Sequence, residues 1–148
     1  MIRELRKDDL NTSFFKLLSQ LGGGTKNFLG RFAKKPDVHD LWSKYLSGIA
    51  RTFVFIHEDK IVGVASILME EKMLKGGSSV GHIEDVVVDK TERSLGIGKA
   101  LISRCVEAAK DFGCYKVILD CSEENIPFYV KCGFAPHSYC MRLDAENN

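Results

Sequence analysis

The segment Gly81–Lys99, GHIEDVVVDKTERSLGIGK, decides the fold of this chain. It begins with an apolar strand, Ile83–Val88, that carries two acidic residues, and it continues through a polar turn to the glycines Gly96 and Gly98. Apolar residues then recur every three or four positions over Ile97–Phe112, which is typical of one face of a helix. The glycines therefore lie between a buried strand and a helix start, where unpaired N–H groups and the helix dipole favour an anion.

Spacing excludes two common phosphate-binding motifs from this turn. The Walker motif requires Ser or Thr after its lysine, but Ala100 follows Lys99. The dinucleotide motif requires a further glycine where Leu101 stands, three residues after Gly98. The remaining pattern, Arg-x-x-Gly-x-Gly at Arg93–Gly98, resembles the pyrophosphate loop of the GNAT superfamily of N-acetyltransferases. The resemblance implies that the loop holds the pyrophosphate of acetyl-CoA, and the alternative is that its glycines serve packing alone.

Composition limits the possible partners of the protein. Its 148 residues predict one domain, 1–148. The net charge is +1 and no polybasic run occurs, so neither nucleic acid nor a membrane surface is expected as a partner. No apolar run is long enough to cross a bilayer, and the N-terminus lacks a signal-peptide core. We therefore expect a cytoplasmic protein, although a location inside an organelle stays open.

The five cysteines do not indicate a metal or redox site. Their number is odd and no Cys-x-x-Cys pair occurs, so we expect no metal. Several fall in apolar stretches, where cysteine acts as a small hydrophobic residue and remains reduced. These residues are Cys105, Cys114, Cys121, Cys132 and Cys140.

Periodicity and turn signals predict an α+β fold with a mixed sheet, in the order strand, two helices, three strands, helix, strand, helix, strand. This is also the element order of the GNAT acyl-CoA N-acyltransferase fold. The predicted elements are a strand at Ile2–Leu5, a helix capped by Asp8 or Asp9 that ends before Gly22–Gly24, a helical turn at Asn27–Ala33 stopped by Pro36, a helix from Asp37 to Leu46, strands at Thr52–His57, Ile61–Met69 and Ile83–Val88, a helix at Ile97–Phe112, a strand at Tyr115–Asp120, a short helix opened by Glu123 and closed at Gly133, and a strand at His137–Leu143.

Three segments resemble the glucosamine 6-phosphate N-acetyltransferase family more closely: Gly81–Val88, Gly113–Cys121 and Asn125–Phe134. Leu10–Leu21 resembles the same family, so the likeness spans the chain. It implies direct transfer of acetyl from acetyl-CoA to the amine of glucosamine 6-phosphate, a step of UDP-N-acetylglucosamine biosynthesis, in a ternary complex. One alternative is a GNAT enzyme for another small amine or a protein N-terminus. The other is a non-catalytic acyl-CoA-binding module.

The resemblance assigns the coenzyme site. Tyr129 suits the donor to the leaving thiolate, because a phenol can give a hydrogen bond or a proton to sulfur. The strand that contains Glu84 is expected to splay from its neighbour, which would free the N–H of Val86 for the thioester oxygen. The backbone of the next residues would pair with the pantetheine arm. The residues assigned to the coenzyme are Val86, Val87, Val88, Arg93, Ser94, Leu95, Gly96, Ile97, Gly98, Lys99, Asn125 and Tyr129.

Three acidic residues stand at the ends of buried strands, where an unpaired carboxylate is costly. The resemblance places Glu84 and Asp85 at the sugar and Asp120 near the amine, whose proton its carboxylate or carbonyl could accept. With Tyr129 and Val86, Glu84 and Asp120 form the predicted catalytic group. The alternative for each acid is a structural hydrogen bond inside the sheet.

Cations for the sugar phosphate are expected at Lys72, Lys75 and Arg142. In this family the last strand commonly reaches a second subunit, so the resemblance implies a homodimer in which Arg142 serves the partner's site. The chain departs from the family's pattern in three places that concern sugar recognition, namely Gly22, Glu70–Ser79 and Asp144. We expect His39 and His82 to lie at the surface or to support other residues rather than to act in catalysis.

Overall fold

A computed structural model describes residues 1–22, 38–143 and 145. Within those ranges the strands are β1 (Ile2–Glu4), β2 (Ala50–His57), β3 (Lys60–Glu71), β4 (Ser79–Val88) and β5 (Cys114–Leu119), and the α-helices are α1 (Thr12–Leu18), α2 (Val38–Ser47), α3 (Ile97–Phe112) and α4 (Ile126–Lys131). Single 3-10 turns occupy Lys7–Asp9, Ser19–Gly22 and Glu123–Asn125. The predictions for Gly23, Gly24, Asn27–Ala33, Pro36, Asp37 and Asp144 lie outside the described residues. No helix of the described part is long and apolar enough to cross a membrane.

The strands form one mixed sheet in the order β1-β2-β3-β4-β5. Neighbours from β1 to β4 are antiparallel, whereas β4 and β5 are parallel. Glu58 and Asp59 both have positive φ, 46° and 58°, as a two-residue type I′ hairpin between β2 and β3 requires. A parallel pair needs a crossover connection, and α3 supplies it between β4 and β5. The predicted mixed α+β sheet is confirmed.

Strands β4 and β5 separate where the site was expected. The β4–β5 ladder runs from the pair Ser79–Cys114 to the pair Ile83–Leu119 and stops there. The rest of β4, Glu84–Val88, continues without a partner in β5. The backbone of this end of β4 is therefore open on one side, as the predicted splay requires.

Helix α3 packs closely on one face of the sheet. Its buried residues are Ile97, Leu101, Ile102, Cys105, Ala108 and Ala109. The close approach depends on glycine in the strands beneath, because a Cβ at Gly63 would lie 2.9 Å from side-chain carbons of both Ile97 and Leu101. The opposite face carries Val54, Val64 and Val87 against α1. The start of α3 is thus fixed against β3, which sets the position of the glycine turn.

This packing predicts the effect of Gly63→Ala. The added methyl group must displace Ile97 and Leu101, and overpacking of this kind lowers the free energy of unfolding by about 1–3 kcal/mol. Urea denaturation of wild type and variant measures the loss. In the double variant with Leu101→Ala the loss should be smaller than the sum of the two single losses, because the second change makes room for the methyl group. Strict additivity would contradict the close contact.

The predicted cap of the first helix is wrong. Asn11 caps α1 and accepts hydrogen bonds from two first-turn N–H groups at 3.0 and 3.2 Å, whereas Asp8 does not cap it. Asp9 instead accepts hydrogen bonds from the Arg3 guanidinium at 2.6 and 2.7 Å and from the Arg6 N–H at 2.7 Å. The bond from Arg3 holds the pKa of Asp9 below its usual value. The carboxylate therefore ties β1 to the following turn.

The predicted last strand, His137–Leu143, is also not observed as a strand. A strand needs a neighbouring strand to pair with its backbone. The sheet of the described chain ends at β5, and this segment makes no ladder with it. The apolar residues Tyr139, Met141 and Leu143 stand at alternate positions and are 96%, 91% and 94% exposed, so they do not pack against the described part of the chain.

Candidate active site

The turn between β4 and α3 has the geometry of an anion site. Ser94 and Gly96 have φ values of 84° and 73°, and Gly96 is the N-cap of α3. The first intrahelical hydrogen bond runs from the Ala100 N–H to the Gly96 carbonyl at 3.0 Å. The N–H groups of residues 97–99 precede it and have no acceptor inside the helix. Backbone N–H groups in such a turn form a concavity that suits phosphate oxygens.

The two glycines of the turn serve different purposes. A Cβ on Gly96 would meet nothing within 4 Å, so this position combines left-handed backbone with open space in front of the helix. A Cβ on Gly98 would lie 3.0 Å from the Phe128 ring and 3.6 Å from Val88. Packing thus explains Gly98, whereas Gly96 leaves room for a ligand. Arg93 donates a hydrogen bond to the Val88 carbonyl at 3.3 Å, which fixes the turn against the end of β4.

A bulge interrupts β4 beside this turn. Val87 pairs with Val64 and Glu84 pairs with Ser66, so Asp85 and Val86 together oppose a single residue of β3. A bulged residue leaves the regular ladder and is available for other contacts. This bulge lies on the part of β4 that β5 does not pair, where the N–H of Val86 was predicted to bind the thioester oxygen.

Asp85 occupies the bulge with φ of 54°. The residue is exposed as a whole, but burial of its carboxyl group raises its pKa, and a hydrogen bond with Ser66 partly offsets the rise. Ser66 is buried and its Oγ lies 2.8 Å from Thr52 Oγ1. The Asp85 carboxyl group is therefore part of a hydrogen-bonded chain at the sheet as well as a candidate contact for a sugar.

The Tyr129 ring on α4 packs against two phenylalanine rings. It meets Phe128 edge-to-face at 4.9 Å between centroids, and Phe134 at 6.3 Å. Gly133 has φ of 94°, the left-handed cap that the sequence predicted, and the Phe134 N–H returns to the Tyr129 carbonyl at 3.0 Å. This is the Schellman pattern with its usual apolar contact. Because a Cβ at Gly98 would lie only 3.0 Å from the Phe128 ring, α4 lies directly against the glycine turn and joins the tyrosine to it.

The phenol of Tyr129 is suited to donate a proton. Burial raises its pKa, and the neighbouring Cys121 and Cys132 raise it further. The phenol therefore stays protonated through neutral pH and is a hydrogen-bond donor there. It borders a cavity of about 490 Å³ that Asp120 and Cys140 also line.

Glu84 and Asp120 converge on one imidazole. His82 Nε2 lies 3.4 Å from Glu84 Oε1 and 3.7 Å from Asp120 Oδ2. On the other side of the ring, Nδ1 lies 3.5 Å from Glu70 Oε1. Cys140 donates a hydrogen bond to Asp120, which raises the pKa of the thiol. The structure thus brings two of the predicted acids together. It adds a histidine that sequence reasoning set aside and a third acid, Glu70, that it did not consider.

The cations predicted to bind the sugar phosphate lie in two different segments, the loop between β3 and β4 and the segment after α4. The strands extend further than expected, so the predicted loop Glu70–Ser79 shortens to residues 72–78. Lys72 donates to Glu70, which links it to the acid cluster. The Lys75 ammonium lies over the Tyr115 ring, 4.2 Å from its centroid. Arg142 belongs to the exposed segment after α4.

The other residues predicted to bind the coenzyme lie on the turn between β4 and α3, at the start of α3, on β4 and just before α4. Arg93, Ser94, Leu95 and Lys99 are exposed on the turn, whereas the Ile97 side chain is buried and anchors α3. Val87 is buried against α1, so only its backbone could meet a ligand. Asn125 is exposed immediately before α4, and its side chain does not cap that helix. In the described part of the chain, no group of three or more His, Cys, Asp or Glu residues is arranged to hold a metal ion.

Comparison with known proteins agrees with this geometry. The model of the Acetyltransferase (GNAT) family matches residues 25–134. The glucosamine 6-phosphate N-acetyltransferase of Trypanosoma brucei brucei is 54% identical over 95 residues, which are 63% of this chain and 65% of that protein. The probable glucosamine 6-phosphate N-acetyltransferase 2 of Oryza sativa subsp. japonica is 40% identical over 96% of this chain and 86% of its own length.

A solved structure extends the likeness to the fold. The crystal structure of glucosamine-6-phosphate N-acetyltransferase from Arabidopsis thaliana superposes with a TM-score of 0.79 at 36% sequence identity, covering 99% of this chain and 98% of that one. The fold and the family predicted from the glycine turn and the three longer segments are confirmed. The chain belongs to the glucosamine 6-phosphate N-acetyltransferase family of the GNAT acetyltransferases.

Proposed function

We propose that this protein transfers the acetyl group of acetyl-CoA to the amine of glucosamine 6-phosphate, giving N-acetylglucosamine 6-phosphate and CoA. The observation that carries the proposal is the close approach of the Phe128 ring to Gly98, where a Cβ would lie 3.0 Å from the ring. It joins a turn of unpaired N–H groups, suited to a diphosphate, to a helix that holds a protonated phenol. The names of the relatives in Trypanosoma brucei brucei and Oryza sativa support the choice of acceptor. We further propose one catalytic domain over 1–148, located in the cytoplasm.

The residues divide the reaction between them. The N–H groups of residues 97–99 bind the diphosphate of acetyl-CoA, and the Val86 N–H donates to the thioester oxygen as negative charge develops there. Asp120 takes one proton from the acceptor's ammonium group, and the free amine attacks the thioester carbon. The C–S bond breaks, and Tyr129 gives its proton to the sulfur. The second proton lost by the nitrogen restores the phenol, and the first leaves Asp120 for water after product release, so protons balance over the cycle.

The acids and cations are proposed to bind the sugar phosphate. Glu84 and Asp85 are proposed to accept hydrogen bonds from sugar hydroxyl groups. Lys72, Lys75 and Arg142 are proposed to attract its phosphate, for which a guanidinium offers two parallel donors and an ammonium a point charge. Because these cations would bind the phosphate, the enzyme should prefer a phosphorylated acceptor to an amine that lacks a phosphate.

We also propose a homodimer in which the segment after α4 completes the partner's site. Tyr139, Met141 and Leu143 are more than nine-tenths exposed in the single chain. Exposed apolar residues at alternate positions are typical of a strand that pairs with a second molecule. Arg142 lies between Met141 and Leu143 and would then point from the opposite face of such a strand.

A panel of acceptors tests the function. Thiol release from acetyl-CoA would be followed with glucosamine 6-phosphate, glucosamine, spermidine and a peptide with a free N-terminus. We expect kcat/KM for glucosamine 6-phosphate to exceed that for glucosamine about a hundredfold, because the phosphate makes charge-assisted hydrogen bonds worth a few kcal/mol in total. Equal use of the two sugars, or preference for spermidine or the peptide, would favour another amine. Binding of acetyl-CoA without thiol release from any acceptor would indicate a binding module.

A further inference from the structure

His82 sits at the centre of a cluster of carboxylates. Glu70 on β3, Glu84 on β4 and Asp120 after β5 surround its ring at 3.5, 3.4 and 3.7 Å. Lys72, which pairs with Glu70, and the Cys140 thiol, which pairs with Asp120, also face the cluster. The positive charge of Arg142 acts on the same thiol. The side chain of His82 is only 21% exposed. Carboxylates from β3, from β4 and from the residue after β5 thus surround one imidazole ring.

The two ring nitrogens of His82 have different surroundings. Nε2 is buried and makes no hydrogen bond to any described residue, although two carboxylate groups lie within 4 Å. Glu70 accepts a hydrogen bond from His82 on its Nδ1 side, whereas Nε2 makes none, so we assign the ring proton to Nδ1. The Nε2 lone pair then faces the carboxylate oxygens of Glu84 and Asp120, which is electrostatically unfavourable. A proton on Nε2 would turn that repulsion into attraction.

We propose that His82 is the positioning residue of the acceptor site and that its Nε2 receives the proton which the acceptor's ammonium group must lose; this inference rests on the proposed function. The proton leaves the substrate nitrogen, binds an Asp120 oxygen and passes to Nε2, and the nitrogen keeps the electron pair that attacks the thioester. The imidazolium formed is balanced by Glu70 and Glu84, and it also keeps Glu84 and Asp120 in place. After product release the proton returns to water. The relay requires the distance of 3.7 Å between Asp120 and Nε2 to shorten in the substrate complex, as catalytic hydrogen bonds commonly do.

The kinetic test compares His82→Ala and His82→Gln with His57→Ala. His57 is a matched control because its Nδ1 also faces a carboxylate, that of Glu92 at 3.0 Å, but on the exposed end of β2. We expect His82→Ala to lower kcat/KM for glucosamine 6-phosphate about tenfold to a hundredfold, and His57→Ala to leave it unchanged. Acetyl-CoA affinity by calorimetry and the melting temperature should be the same in all three variants, which excludes a folding defect.

Two further measurements distinguish proton transfer to His82 from a role in which His82 only holds Glu84 and Asp120 in place. Gln can donate a hydrogen bond to the acids but cannot accept a proton as imidazole does, so His82→Gln should recover KM and leave kcat low. The loss of kcat should shrink as pH rises, because more of the acceptor then arrives as free amine. A loss that is independent of pH, or full activity in either His82 variant, would overturn the proposal.

A measurement without substrate separates failure of this inference from failure of the proposed function. Nitrogen-15 NMR of the imidazole rings, with His82→Gln used for assignment, should show a proton on Nδ1 and a bare Nε2 in the free protein. A proton on Nε2 would overturn the inference even if glucosamine 6-phosphate is acetylated. If the wild-type protein acetylates no sugar phosphate, the proposed function fails and the relay fails with it, whatever tautomer the spectrum shows.

Discussion

Replacing Tyr129 by phenylalanine is expected to lower kcat about a hundredfold while changing the Kd of acetyl-CoA less than about twofold. The variant keeps the ring and hence its edge-to-face contacts with Phe128 and Phe134. It removes only the phenolic O–H. Because the leaving thiolate exists only as the C–S bond breaks, a donor to sulfur acts in the transition state and contributes little to binding of the ground state.

The pH dependence of Tyr129 has a definite sign. Burial raises the pKa of the phenol, so the proton donor is present at neutral pH and is lost only as pH rises through that raised pKa. Wild-type kcat should therefore fall on the alkaline side, and the fall that Tyr129 causes should be missing in Tyr129→Phe. Stopped-flow measurement of thiol release across alkaline pH checks this.

Tyr115→Phe is the matched control for this variant. Tyr115 lies on β5 and its ring, which would be kept, carries the contact with Lys75. Loss of its hydroxyl should leave kcat and Kd unchanged. If Tyr129→Phe weakened acetyl-CoA binding as much as it lowered kcat, the hydroxyl would serve binding, and the role at sulfur would have to be abandoned.

Local signals were sufficient for the elements that we propose to bind the coenzyme. The helix α3 has the predicted bounds, Ile97–Phe112, because its apolar spacing is regular and Gly113 follows it in a left-handed conformation with φ of 90°. Gly133 was placed correctly as the cap of α4 for the same reason. Both predictions depend on a few consecutive residues, and no distant contact competes with them.

Contacts between different secondary-structure elements account for what sequence reasoning missed. Asp9 looked like a helix cap, but Arg3 on β1 binds its carboxylate, and Asn11 takes the cap instead. The bulge at Asp85 depends on the register of β4 against β3, which no single strand reveals.

His82 was set aside for a similar reason. The acids around it come from three parts of the chain, namely Glu70 on β3, Glu84 on its own strand and Asp120 after β5. Its alternation with Glu84 on β4 was the one local sign, because residues two apart share a face of a strand. The Glu70 and Asp120 carboxylates reach the ring only once β3 and β5 flank β4.

The variants Gly96→Asp and Gly96→Asn should separate charge from shape at the turn. Both residues have nearly the same size and tolerate left-handed backbone better than most, so both share whatever strain the φ of 73° imposes. Neither Cβ meets an atom within 4 Å. They differ by one negative charge, placed where the unpaired N–H groups of α3 are proposed to bind diphosphate. We expect Asp to raise the Kd of acetyl-CoA about tenfold relative to Asn, as a screened repulsion of about 1.4 kcal/mol would do.

Charge repulsion carries two signatures that strain does not. Added salt should narrow the difference in Kd between the Asp and Asn variants, because the turn is exposed and ions screen it. S-acetyl pantetheine, which lacks the diphosphate, should be used equally well by both variants, since the added carboxylate then has no phosphate to repel. If Asp and Asn weakened acetyl-CoA binding to the same extent, the glycine would serve backbone shape alone. If neither weakened it, the diphosphate would have to bind elsewhere, and the placement of the acetyl group beside Tyr129 would lose its basis.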